Sequence, residues 1–187
     1  MDTAQSTYGK IGIVGNKKRR TGFTIVELLI VIVVIAILAA ITIVAYNGIQ
    51  EQTKNTKTVN AVAAWVKALQ LYKADNGVFP DADTCLGTTT TYDGNGRCWD
   101  SSTWTVKSTF LDTMATYLSQ YPEPDTSLID SVNYPYRRGA FYQSHSSGVF
   151  YIWVSLLGSP SCPAIAGLNY NTQGSGTEGK YCRYIIE

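Results

Sequence analysis

The stretch Lys17-Lys18-Arg19-Arg20-Thr21-Gly22-Phe23-Thr24-Ile25-Val26-Glu27-Leu28-Leu29-Ile30 sets four consecutive positive charges against the head of an apolar run. The run continues to Tyr46, and across residues 23–46 the one charged side chain is Glu27. From Leu28 to Tyr46 no charge interrupts it. At about 1.5 Å per residue that segment is roughly 28 Å of helix, enough to cross the hydrocarbon core of a bilayer. A basic cluster immediately before such a segment stays cytoplasmic, which predicts that everything after Tyr46 lies outside. The carboxylate of Glu27 is the anomaly, because an unpaired charge in an apolar setting costs about 2.5–3.5 kcal/mol.

Composition agrees with this division. The net charge of +1 excludes a strongly basic nucleic-acid binder, yet residues 1–22 carry +4 and the remainder −3. Apolar residues make up 45% of the chain and charged ones 16%, a globular rather than disordered balance with a polar, uncharged surface. All four cysteines follow Tyr46, which fits an oxidising compartment. An ordinary secretory signal fits poorly. Such segments have apolar cores of about 7–15 residues without an acidic residue at the head, and no A-x-A cleavage site closes this one.

The helical pattern does not stop at Tyr46. Asn47-Gly48 is a weak point, costing about 1 kcal/mol at the glycine. Beyond it Ile49, Val59, Val62, Ala63, Val66, Leu69 and Tyr72 recur at three- and four-residue steps, one apolar stripe on an otherwise polar helix. Asn76-Gly77 with Pro80 beyond is a helix stop. One helix over residues 23–76 would be roughly 80 Å long. Residues 77–106 read as loop, and Ser108–Tyr121 as a short helix with Phe110, Leu111, Met114 and Leu118 on one face. Strand patterns cover Ala140–Gln143, Val149–Leu156 and Lys180–Ile186, the first two flanking a five-residue hairpin loop. These predict an α+β fold in which a long N-terminal helix packs on a small antiparallel sheet of about three strands.

The opening residues together resemble a type IV prepilin or pseudopilin: a basic leader ending in Gly22, then Phe23, Thr24, two apolar residues, Glu27 and an unbroken apolar helix. Tyr72-Lys73-Ala74-Asp75-Asn76-Gly77-Val78-Phe79-Pro80 is similar to the end of the long helix in many of these proteins. The resemblance covers about residues 17–80 and implies four regions. Residues 1–22 are a leader removed by a membrane prepilin peptidase between Gly22 and Phe23. Residues 23–46 are a membrane and then filament-core helix, 47–76 its amphipathic continuation, and 77–187 an extracellular head. The peptidase also methylates the new Phe23 amine. Glu27, one turn into the mature chain, pairs in the filament with the Phe23 amine of a neighbouring subunit, as a register device. The alternative is that Glu27 merely caps its own helix.

Further partners implied are copies of the same chain, membrane lipid before assembly, an inner-membrane assembly platform and an assembly ATPase. No cofactor or metal is implied. The favoured reading of the filament is a type IV pilus with this chain as its major pilin, serving adhesion, twitching motility or DNA uptake; the alternative is the pseudopilus of a type II secretion or competence apparatus. A surface binding module that never polymerises is the third. Many pilins carry a proline within this helix; Thr42-Ile43-Val44-Ala45 has none, so any melted stretch is expected near Asn47-Gly48.

Other motifs carry less. Gly174-Ser175-Gly176-Thr177-Glu178-Gly179 spells a dinucleotide fingerprint but has too few residues after it for the helix and acidic partner such a site needs. The four cysteines allow three pairings. Cys85 with Cys98 and Cys162 with Cys182 is favoured because each pair brackets a Gly/Thr-rich loop, and the second resembles the C-terminal loop of many pilins. Asn169, Asn171 and Glu178 are the only calcium-type ligands offered near the C-terminus. His145, the single histidine, reads as a solvated loop residue beside Ser144. Tyr134, Tyr136, Arg137, Arg138, Phe141 and Tyr142 interleave aromatics with charge, which suits stacking on sugars or single-stranded DNA. Packing within a small sheet is the simpler expectation.

Overall fold

The computed structural model describes residues 22–92, 96–99, 104–129, 137–145, 147–158 and 161–187. The chain divides into two compact units, Met1–Ile43 and Val44–Glu187, and helix α1 (Ile25–Asn76) runs through the division. In the first unit Gly22–Thr24 is non-helical, and every side chain from Phe23 to Ile43 is exposed. Ile25 is 84% exposed and even Val33, the most covered of the large ones, 46%. This part of the helix is apolar on all sides. It is long and apolar enough to cross a membrane.

The second unit is the α+β head. Its sheet is antiparallel throughout in the order β1-β2-β3-β5-β4, from β1 (Asp83–Cys85), β2 (Ala140–Ser144), β3 (Phe150–Leu157), β4 (Leu168–Ser175) and β5 (Gly179–Ile186). Five strands replace the expected three. The additions are the two edges, β1 within the supposed loop 77–106 and the Asn-rich β4. The loop also holds a 3-10 turn, Thr90–Tyr92, and an isolated bridge between Arg97 and Thr105.

Strand alternation gives the sheet two apolar faces. Ala140, Tyr142, Ile152, Val154, Leu156, Cys182, Tyr184 and Ile186 pack with Val62, Trp65, Val66, Ala68 and Leu69 of α1. On the other face Phe141, Trp153 and Tyr181 meet Tyr92, Trp99, Trp104 and Val106. Within the expected helical stripe Val62, Val66 and Leu69 are fully buried, and Val59, Ala63 and Tyr72 partly so. Ile49 is 62% exposed and outside the core. Trp65, absent from the stripe as read, is completely buried at its centre, between Phe110 and Tyr121 at ring-centroid distances of 5.8 and 5.9 Å.

The helix stop takes the form of a left-handed cap. Gly77 has φ +80° and its N–H donates to the Lys73 carbonyl at 2.7 Å. The turn seats Phe79 in the core, edge-on to Phe150 and beneath the Lys73 ammonium. The Pro80 carbonyl accepts from the buried Tyr142 hydroxyl at 2.7 Å.

Helix α2 covers Ser108–Met114, half the expected length. The Tyr121 hydroxyl donates to the Leu111 carbonyl at 2.8 Å, and the Ala115 N–H turns to Asp112 instead. The apolar residues beyond, Tyr117 and Leu118, pack from a turn.

Candidate functional site

At the head of α1, Thr24 and Glu27 hold each other. The Glu27 Oε2 accepts from the Thr24 N–H at 2.8 Å and from its hydroxyl at 2.8 Å. The Thr24 Oγ1 accepts from the Glu27 N–H at 3.2 Å. This reciprocal arrangement is a capping box, and it satisfies backbone donors that a helix start leaves open. A carboxylate in the first turn also lies favourably in the helix dipole. The Glu27 side chain therefore caps its own helix in the single chain, the geometry of the alternative reading. Thr24 was passed over as a site residue in the sequence, although Thr24-Ile25-Val26-Glu27 fits the S/T-x-x-E pattern for such a box. Gly22 and Phe23 lie outside the helix. Phe23 is 78% exposed, and a Cβ placed on Gly22 would meet nothing within 4 Å.

In the head, Cys85 is bonded to Cys98 and Cys162 to Cys182. The first bond is buried against the outer face of the sheet; the second ties the segment before β4 to β5. The G-x-G-x-x-G look-alike is the reversal between β4 and β5. The Gly176 N–H donates to the Gly179 carbonyl at 2.7 Å, and no helix opens there. His145 is an exposed hairpin residue whose Nδ1 lies 3.0 Å from the Ser147 hydroxyl, with its ring edge-on to Tyr151.

Of the aromatic and basic cluster, Tyr134 and Tyr136 lie outside the described residues. Phe141 and Tyr142 are fully buried, one on each face of the sheet. Arg138 is buried to 8% exposure, and its Nε donates to the Arg97 carbonyl at 3.1 Å. Arg137 stacks over Tyr181 and Trp99. These side chains pack the sheet, as the simpler expectation held. Arg183 takes the outward place on β5, lying 4.9 Å from the Tyr151 and Trp153 rings and donating to Asn171 Oδ1 at 2.7 Å.

A hollow of about 430 Å³ opens beside α1 at the end of β3, lined by Glu51, Asn55, Val59, Leu156, Leu157 and Pro163 among others. Both ends of the Asn55 amide are engaged by the Leu157 backbone, at 2.8 and 3.0 Å. Among the described residues no three His, Cys, Asp or Glu side chains gather as metal ligands would. Burial raises several tyrosine hydroxyls. Tyr184, with Tyr170 beside it, is pushed up to about 12, and Tyr92 and Tyr142 are higher still.

Comparison with known proteins returns to the N-terminal segment. The family model described as the prokaryotic N-terminal methylation motif matches residues 17–43. Type II secretion system core protein G of Vibrio cholerae serotype O1 is 36% identical over 69 residues, 37% of this chain and 47% of the relative. The core protein G of Pectobacterium carotovorum is 32% identical over 82 residues, 44% and 49% of the two chains. Fimbrial protein EcpC of Eikenella corrodens is 35% identical over 78 residues, 42% and 51%. The chain thus spans about half the length of the curated relatives it matches. No solved structure matches it.

Proposed function

We propose that this chain, which carries the N-terminal methylation motif of the type IV pilin-like family, is a structural subunit that polymerises out of the membrane and not an enzyme. The observation that carries this reading is a coincidence in one segment. The motif matched over residues 17–43 ends in a helix that is apolar on every side, headed by a lone carboxylate. Such a helix is solvated equally well by lipid tails and by the apolar core of a filament, so one sequence serves both stages. In this reading residues 1–22 are the leader, a prepilin peptidase cuts between Gly22 and Phe23, and the Phe23 amine is methylated. Residues 23–46 anchor the subunit and then line the filament. Residues 47–76 continue the helix into the head, residues 77–187, which lies outside the membrane. Glu27 meets the Phe23 amine of the next subunit.

The relatives named for secretion support the short pseudopilus of a type II secretion apparatus as the first choice of filament. A surface pilus for adhesion, twitching or DNA uptake is the second choice. It is supported by the relative named as a fimbrial protein, and by two disulfide-tied loops suited to an exposed head. In either machine the assembly platform and its ATPase are the expected partners.

The test is Glu27→Ala in the native cell. A filament subunit is expected to be processed normally, to remain in the membrane fraction and to vanish from polymer. A surface module that never polymerises would be found in the membrane in both cases, with no polymer from the wild type to lose. Polymer released as long fibres by shearing would favour the pilus, and short polymer retained in the envelope the pseudopilus.

A further inference from the structure

Where α1 meets the end of β3, the hollow of about 430 Å³ has an apolar wall of Val59, Leu156, Leu157 and Pro163, with Glu51 at its rim. A second hollow of about 260 Å³ shares Glu51 and Leu157 with the first and adds Lys54 and Glu178. Gly158 makes room there, since a Cβ on it would stand 2.7 Å from the Glu51 Oε2. Two carboxylates against one ammonium give this rim a charge of −1. Among the described residues, none hydrogen-bonds to or pairs with the side chains of Glu51, Lys54 or Glu178. Farther along the same helix lies a surface of the opposite kind. Lys67, Leu71 and Ala74 follow at four- and three-residue steps, so they share a face, and all three are exposed. Leu71 is 47% exposed and Val78, just past the helix cap, 56%. Among the described residues beyond Ile49, these two are the only large aliphatic side chains left exposed. Lys67 is the cation at the head of this ridge, and the carboxylate of Asp75 lies about 12 Å farther along the helix.

We infer that the two surfaces are halves of one contact: the ridge of a second copy docks in the hollow beside α1, its Lys67 against Glu51 and its Leu71 and Val78 against the apolar wall. This rests on the filament reading above and names head surfaces that build the polymer, which that reading leaves open. Opposite charge and matching apolar area on the same chain select a second copy as the occupant. An exposed ion pair adds little affinity, so the apolar ridge supplies the binding and the charges set the register. The contact joins two different patches and is therefore heterologous. Each copy that docks leaves its own hollow open for the next, so the contact propagates where a self-complementary one would close as a dimer. Lys67 follows Glu51 by 16 residues. With parallel helices each step along this contact advances about 24 Å.

The experiment uses the full-length chain in its native cells and reads cleavage at Gly22–Phe23 and the yield of polymer. Glu51→Lys and Lys67→Glu each set like charges against each other, and each should lower the yield about tenfold with cleavage unchanged. The double variant restores an opposite pair between copies and should recover the yield to within about twofold. A second measurement is independent of charge. All four native cysteines are already bonded, and positions 51 and 67 are about 24 Å apart on one helix, so a disulfide between Glu51→Cys and Lys67→Cys joins only different copies. That variant should give a ladder of multimers on oxidation, and either change alone at most a dimer. Wild-type yield from both charge reversals, a double variant no better than the single ones, or no ladder overturns the inference while the filament reading stands. Loss from Glu51→Lys with none from Lys67→Glu gives the hollow another occupant and overturns it too. A wild-type chain that is never cut at Gly22 or never polymerises overturns both.

Discussion

Trp65 shows how much of the head depends on one side chain of α1. It is completely buried, stacks on Phe110 and Tyr121, and donates from its indole nitrogen to the Pro122 carbonyl at 2.8 Å. Trp65→Ala is expected to cost about 3–5 kcal/mol, read as a fall in the denaturant midpoint of the detergent-solubilised chain. Trp65→Phe should cost much less, since it keeps an aromatic ring in the stack and loses mainly the hydrogen bond. Ile49 is the contrast. It belongs to the three- and four-residue stripe in the sequence, yet it precedes Asn55 and Thr58, where α1 is first tied to the rest of the head. Periodicity says which residues share a helix face, but not where along that face the sheet begins. Ile49→Ala should therefore leave the same midpoint almost unmoved, within about 0.5 kcal/mol.

Among the elements, β2, β3 and β5 were legible because aromatic and β-branched residues mark them and burial fixes their alternation. The edge strands were not. β1 is three residues long, and its Thr84 hydroxyl is occupied by Lys107 and Cys85 backbone. β4 is Leu-Asn-Tyr-Asn-Thr-Gln-Gly-Ser, mostly exposed and interrupted by a bulge between Tyr170 and Thr172. Its pairing comes from β5 and not from its own propensity. Helix α2 was overextended because a long-range bond, Tyr121 to Leu111, ended it where local pattern saw no stop. The Cys162–Cys182 bond fastens the segment before polar β4 to the core strand β5. Replacing both cysteines by serine is expected to cost about 2–5 kcal/mol and to expose β4 amides first in hydrogen exchange. Uniform loss of protection across the sheet would contradict that local role.

For the whole molecule, the head depends on buried neutral tyrosines. The ordinary value of 10.0 is raised to about 12 for Tyr184, mainly by burial, and raised further for Tyr142 and Tyr92. A group whose folded pKa lies above its unfolded one binds more protons in the native state as pH passes 10, so stability falls with rising pH there. Their contribution is complete below pH 10 and lost progressively towards 12. Alkaline unfolding should set in within that window together with the last part of the tyrosinate absorbance, that of the buried rings, and Tyr184→Phe should weaken the dependence. An alkaline unfolding profile unchanged by Tyr184→Phe would contradict the role of its burial.

The N-terminal segment was the most legible part of the chain, since a basic cluster, Gly22, Phe23, Glu27 and an uninterrupted apolar helix all lie in one short window. What the sequence reading missed there was Thr24, whose role emerges from hydrogen-bond geometry. The account as a whole turns on the fate of that window. The most direct test is the intact mass and N-terminal sequence of the chain recovered from polymer in its native cells. A chain beginning with N-methylated Phe23 is the predicted result. A start at Met1, or a cut beyond Tyr46, would contradict it.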